Sequence, residues 1–422
     1  MLVKPSDRAL FKNQNYMLLW LGQAISQFGD AISFVAIPLL VFQLSGSPIN
    51  LTLSFVIETV PWIVLGPIAG VFIDRWNKRT VMMAMDLIRC VIVGCIFFTE
   101  NVYLLYALGF LIQSAAAIFA PARSSFIPQL VKKEHYVKAI ALSHVAFQTV
   151  QVMGPIVAAA VIGWLGLRMA FIVDSMTFLL ALLFCVMIKH VETSANDTVR
   201  RPFLTSLKEG ISYIGKSVVL RHVTYINLLK AVIQSFIMIG TLLYMKELFH
   251  VKGARSDQLY SLMIGIMAFG TILGTWLIGV KEAVIHRRFL ILGGLSLQGI
   301  CLLLIAAAPN VYVLGSLFFV SGFALSGATS PVSAFYAEHT NDHIRGRVYS
   351  VTNATLQMAS IIAFIVAGAI ANYSSGTLLF TVAGLLLLLC TPLLILATRS
   401  SLSTVTTNVI LRPQDAMEKV EK

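Results

Sequence analysis

Ionisable side chains set inside long apolar runs are the residues of this sequence best placed to do chemistry. Asp30 stands in "SQFGDAIS", within an apolar run at 17–43; Glu58 lies in the run at 51–73 and Lys230 in that at 223–245. Asp86 and Arg89 share the run 81–99, three residues apart, and Asp174 sits near one end of the run 169–188. A charge inside such a run costs roughly 2.5–3.5 kcal/mol on insertion scales, so each needs a reason to be there. A carboxylate can supply one: it takes up a proton when its surroundings dry and releases it when they wet. Asp30 and Glu58 are the carboxylates placed for that chemistry, and Glu58 can also attract a cation. Lys230 can pair with a buried acid, attract an anionic part of a ligand, or snorkel to the surface. The structural account stands beside each: Asp30 bonded to hydroxyls, Asp86 and Arg89 paired on one helix face.

A second stretch points to different chemistry. "GISYIGKS", residues 210–217, fits the phosphate-binding pattern G-x-x-x-x-G-K-S. In that motif backbone N–H groups cradle phosphates, Lys reaches them and Ser holds magnesium, provided a strand precedes the loop and a helix follows. What precedes it, "RPFLTSLKEG", is no buried strand. Phe203, Leu204, Leu207, Ile211 and Ile214 fall at helical spacing with charges opposite. The segment reads as an amphipathic helix on the inner membrane surface or beneath the helix bundles, and an ATP-driven pump is only a remote alternative.

The elements that must position these residues follow from composition. Of 422 residues, 58% are hydrophobic and 12% charged, against roughly 25% charged in soluble domains. That share cannot cover a globule of this size, so most of the surface faces lipid. Twelve runs are long enough to span: 17–43, 51–73, 81–99, 102–120, 139–163, 169–188, 223–245, 258–280, 289–308, 311–335, 348–371 and 377–397. Of the 31 Lys and Arg, 25 fall in the termini and even-numbered gaps. Four (Arg168, Lys246, Lys252, Arg255) fall in odd-numbered gaps, and Arg89 and Lys230 lie inside spans. Basic residues collect on the cytoplasmic side, which puts both termini and the long central gap there. The net charge of +12 is spread through these gaps, so nucleic acid is not an expected partner. The N-terminus is polar and does not read as a removed signal peptide. Cys90, Cys95, Cys185, Cys301 and Cys390 all sit in apolar runs and read as small core residues, with no metal site.

The organisation expected is a first six-helix bundle at 1–188, a linker with its amphipathic helix at 189–222, a second bundle at 223–397 and a cytoplasmic tail at 398–422. A shift of 209 places Gly70 and Val71 on Gly279 and Val280, Lys78 and Arg79 on Arg287 and Arg288, and Tyr16 on Tyr225. Read as a duplication, it implies two similar bundles around a central pathway.

The densest motif is "GVFIDRWNKRT", residues 70–80, in the gap after the second span. Gly70 allows close helix approach, Asp74 can cap the following helix, and Arg75, Lys78 and Arg79 stay in water or meet a helix C-terminus. This pattern resembles motif A of the major facilitator superfamily, with Asn77 where that family often has glycine. The second-half counterpart, "GVKEAVIHRR", has Ala283 in place of the acid. "GQAISQFGDAISFVAIPLLVFQLSGS", "APARSSFIPQLV" and "IRGRVYSV" are similar to the macrolide-efflux and siderophore-exporter branch. "VQVMGPIVAAA" resembles the core of the antiporter motif through Gly154 and Pro155, with Val150 and Ala158 in place of glycines.

The resemblance implies an all-α membrane protein of twelve transmembrane helices in two pseudo-symmetric six-helix bundles. Asp74 and Arg75 would latch the cytoplasmic side, with Asp86, Arg89 and Arg123 associated with that gate. Asp30 would face a central cavity. The function implied is secondary active export of an organic small molecule by proton antiport, with alternating access, in the cytoplasmic membrane. The protein would be no enzyme, would need no cofactor, and would act as a monomer on substrate, protons and membrane lipid. Translocation of a lipid or lysophospholipid by the same fold is the alternative.

Overall fold

The computed structural model describes residues 10–73, 76–189, 203–248, 254–281 and 287–398. Asp74, Arg75, Ala283, most of the linker before 203 and the tail beyond 398 lie outside these. The first half supplies α1 (Gln14–Ser45), α2 (Pro48–Phe72), α3 (Lys78–Ile96), α4 (Val102–Leu130), α5 (Lys133–Leu165) and α6 (Leu167–Met187). After α7 (Phe203–Lys216) come α8 (Val218–Leu248), α9 (Ala254–Lys281), α10 (Arg287–Ile305), α11 (Val311–His339), α12 (Asp342–Tyr373) and α13 (Gly376–Thr398). Ten of the twelve long helices are apolar enough to cross a membrane unaided. The other two are α3, which carries Lys78, Arg79, Asp86 and Arg89, and α5, in which the described side chains form the shorter apolar stretch Met153–Leu165.

Short-range signals set the helix ends. Gly46 closes α1 in the left-handed region (φ 64°), its N–H bonded to Phe42 O, and Pro48 then opens α2 with a φ already suited to a helix. Asn77, rather than Asp74, caps α3: its side chain accepts from Thr80 N at 3.2 Å. Asparagine is among the best N-cap residues, so this position needs no glycine.

The duplication is written in the helix boundaries. α4 to α6 begin at residues 102, 133 and 167, and α11 to α13 begin at 311, 342 and 376, each 209 later. Asn101 caps α4 through Tyr103 N and Leu104 N, and Asn310 caps α11 through Val313 N, again 209 apart. Packing follows the same register. Cys90 of α3 meets Ser175 of α6, and Gly299 of α10 meets Gly384 of α13. The offset does not reach the first helix, because α1 and α8 begin 204 residues apart. Accordingly Tyr16 is buried, donating to Ala139 O at 2.8 Å, whereas Tyr225 is exposed.

Two compact units form. One comprises the described residues up to Arg200 with Met238–Phe269 and Phe364–Gly376; the other comprises Arg201–Ile237, Gly270–Ala363 and the described residues from Thr377 on. In the first, one end of α8, α9 and α12 joins the first-half helices. Phe55 stacks on Phe364 at 4.6 Å between centroids, Gly368 admits Thr52, and Gln258 donates to Gly163 O at 3.2 Å.

In the second unit α7 is a docked helix. Gly210 packs against Val351 and the backbone of Arg347 with no room for a Cβ. Glu209 pairs with Arg347, and Tyr213 donates to His339 O at 3.2 Å. The "GISYIGKS" glycine thus serves helix packing, and among the described residues there is no strand for a phosphate loop to follow.

Candidate functional site

A line of small residues on α1 brings the site together. Gly22, Ser26, Gly29 and Ser33 recur at helical spacing on one stripe and are all buried. Such residues let backbones approach closely. A Cβ at Gly22 would press on Phe184 and Ala181 of α6, and one at Gly29 would collide with Thr177 and Asp174. Because α1 lies this close to α6, the polar residues of α1 beside the stripe meet those of α3, α4 and α6.

Arg89 is the centre. It is 2% exposed, donates to Asp86 Oδ1 at 2.5 Å and reaches Asp30 Oδ2 at 3.5 Å. Its guanidinium lies between two aromatic faces, 4.6 Å from the Phe119 centroid and 4.4 Å from that of Phe178. Each such cation–π contact contributes about 0.5–1 kcal/mol at an exposed site and about 2 kcal/mol when desolvated, as here. Asp86 and Arg89 therefore do pair along one helix, and the pair also extends to Asp30 on α1. The Asp30 side chain is 36% exposed, so it is the open edge of an otherwise buried group. Arg123 of α4 donates to Gln23 Oε1 at 2.6 Å, close enough to be attracted by Asp30 and repelled by Arg89. Asp174 on α6 is fully buried and accepts from Ser33 of α1.

The other expected residues sit apart from this group. Glu58 is buried on α2 beside Gly109 of α4, and neither carboxyl oxygen has a hydrogen-bond partner among the described residues. Lys230 donates to Asn227 Oδ1 at 3.4 Å, one turn back on α8. Gly70 lies in the last turn of α2 and Lys78 opens α3. Arg79 meets a helix C-terminus, bonding Cys185 O at 3.1 Å and Val186 O at 2.6 Å, the last carbonyls of α6. Gly154 packs on Ala31, the neighbour of Asp30, and Pro155 breaks the α5 hydrogen-bond ladder beside that contact.

The family described as "Transmembrane secretion effector" matches residues 6–418, almost the entire sequence. The chain belongs to that family, within the major facilitator superfamily. The superfamily's relatives of this chain include the uncharacterized MFS-type transporter YfiS of Bacillus subtilis, 24% identical over 394 residues (91% of this chain, 93% of YfiS). Macrolide efflux protein A of Streptococcus pyogenes is 23% identical over 387 residues (87% and 94%). The multidrug efflux pump Tap of Mycolicibacterium fortuitum is 23% identical over 357 residues (82% and 86%). Among solved structures, a bacterial homologue of the lysosomal transporter Spinster superposes with a TM-score of 0.70 at 12% identity, covering 93% of this chain and 98% of its own. A variant of the nucleoside transporter NupG gives 0.70 at 11% identity (91% and 99%). These likenesses establish a multi-pass membrane protein with the superfamily fold.

Within the superfamily fold, the site's location in one half is informative. At the 209 offset, Asp86, Arg89, Arg123 and Asp174 correspond to Leu295, Gln298, Val332 and Ala383. The second half builds the same helices, with the same boundaries, from uncharged residues at every one of these positions. Helix packing alone therefore does not require the charges.

Nothing local in the sequence connects Asp174, Ser33 and Thr177 to Asp30. The available signal was the stripe of Gly22, Ser26, Gly29 and Ser33, which marks the face of α1 that touches another helix.

Proposed function

We propose that this protein exports an organic small molecule of the drug or metabolite class across the cell membrane in exchange for protons. The observation that carries this reading is the Asp30–Arg89–Asp86 group in the first half, partly open at Asp30, with the uncharged Leu295 and Gln298 at the second-half positions that correspond to Asp86 and Arg89. Relatives named for macrolide and multidrug efflux support the substrate class.

Asp30 is the coupling group. Ionised, it holds α1 to α3 through Arg89. Protonated, it loses that attraction while Arg89 keeps Asp86, so α1 is released without leaving a buried guanidinium unpaired. Gly154 transmits the release to α5 through Ala31. The first half (1–188) and the second (223–397) then alternate access to substrate. Motif A governs the cytoplasmic end: Arg79 ties the start of α3 to the end of α6, and Asp74 and Arg75 complete the latch. Both termini face the cytoplasm, as the distribution of Lys and Arg favours. Glu58 and Lys230 are further cavity groups, and the protein works as a monomer.

Resealed inside-out vesicles that take up ethidium or erythromycin from the medium test this. Collapsing the proton gradient with an uncoupler is expected to stop transport of the pumped probe. Transport that continues unchanged contradicts proton coupling.

A further inference from the structure

The charged group on the first half does not balance. Its carboxyls are Asp30 on α1, Asp86 on α3 and Asp174 on α6; its guanidiniums are Arg89 on α3 and Arg123 on α4. The other charged groups on α6 and on the helices packed against it lie toward the helix ends: Arg79 of α3 bonds Cys185 O and Val186 O at the far end of α6, Lys78 stands beside it in sequence, Arg168 at the start of α6 bonds Phe97 O, and Lys133, Glu134 and Lys138 fall in the first turns of α5. With all five ionised the group carries one uncompensated negative charge. Asp86, Arg89 and Asp174 are each at most 2% exposed, and an unpaired charge at that depth is strongly unfavourable. One bound proton restores neutrality.

Hydrogen-bond accounting indicates where that proton rests. Asp86 is held by Arg89 at 2.5 Å and stays an acceptor. Among the described residues Asp174 bonds no guanidinium, and the partners of its carboxyl are hydroxyls. Ser33 Oγ donates to Oδ2. Thr177 Oγ1 lies 3.2 Å from Oδ1, but it also lies 2.7 Å from the backbone carbonyl of Asp174. A hydroxyl has one hydrogen to give and lone pairs to accept with. Thr177 gives its hydrogen to the carbonyl, the shorter bond, and is left as an acceptor facing Oδ1. Two acceptors face each other there unless Oδ1 carries a hydrogen.

We propose that Asp174 is the resting holder of this proton, on Oδ1 and donating to Thr177, and that the proton enters and leaves through Asp30. Loading transfers one proton from water to Oδ1 and takes the group from one net negative charge to none; no other bond changes. The route through Asp30 rests on the proton-coupled reading above. The proton on Asp174 does not.

Infrared spectroscopy of the purified protein at neutral pH, in a detergent without ester carbonyls, tests the proposal, because a protonated carboxyl has a carbonyl stretch separate from that of a carboxylate. Asp174→Asn is expected to remove one carboxylic acid's share of that band. Thr177→Val is expected to keep the band area and move one component to higher frequency, since the acid loses its acceptor. An unaltered band in Asp174→Asn overturns the proposal. Where that variant does not fold, an unshifted band in Thr177→Val overturns it. The resting spectrum is independent of transport, so a vesicle assay indifferent to the proton gradient would remove the coupling reading and leave this result standing.

Discussion

Asp30→Asn is expected to reduce export of pumped compounds to the level of the host without the protein, while expression and thermal midpoint stay near native. Asparagine keeps the shape of the side chain and, like the protonated acid, gives up the ionic hold on Arg89, while Gly22 and Gly29 keep α1 packed on α6. What it loses is the ability to cycle between a charged and a neutral form. Arg89 retains Asp86 at 2.5 Å, so no buried guanidinium is stranded. Fluorescent dye efflux and drug susceptibility in a pump-deficient strain measure the first effect, and thermal unfolding in detergent measures the second. A variant that exports normally would move coupling away from Asp30. One that fails to fold would make Asp30 a structural residue.

The second large effect is on stability, and the internal repeat supplies its control. Arg89→Gln leaves Asp86 buried without its cation and empties the slot between Phe119 and Phe178. Breaking a buried pair by removing one partner costs about 3–5 kcal/mol, seen as a marked fall in the thermal midpoint. Adding Asp86→Leu installs the second-half solution, in which Leu295 and Gln298 occupy the equivalent positions. The double variant is expected to recover most of the lost stability without recovering export. If the double variant is no more stable than Arg89→Gln alone, the two halves do not share packing rules at this level. If it also exports, the charged group is not part of the transport machinery.

Much of the fold was legible because membrane helices announce themselves locally. A run of apolar residues, a stop at Gly46-Ser47-Pro48, and caps at Asn77, Asn101 and Asn310 place helix ends without knowledge of the neighbours. The pairing of Asp86 with Arg89 was legible for the same reason, since residues three apart share a helix face. The contact of Arg89 with Asp30 depends on α1 meeting α3, and that of Ser33 with Asp174 on α1 meeting α6. Neither is local. The duplication was visible at Gly70-Val71, but Tyr16 misled, because its likeness to Tyr225 is one of letters and not of surroundings. Better marks lay in "NVYLL" at 101–105 and "NVYVL" at 310–314, where the capping asparagine recurs with its first helical turn. "GISYIGKS" misled in the opposite way. Gly210 is needed for a helix to lie against Arg347 and Val351, a requirement that a phosphate-loop pattern matches by coincidence of residue type.

If Asp30 exchanges protons for substrate, proton movement across a sealed membrane must accompany substrate flow. Native protein and Asp30→Asn are reconstituted into liposomes holding a pH-sensitive dye, and an ethidium gradient is imposed with no initial pH difference. Native protein is predicted to drive protons against the ethidium flow, and Asp30→Asn to move none. Ethidium flow through the native protein with no accompanying proton movement would contradict the account.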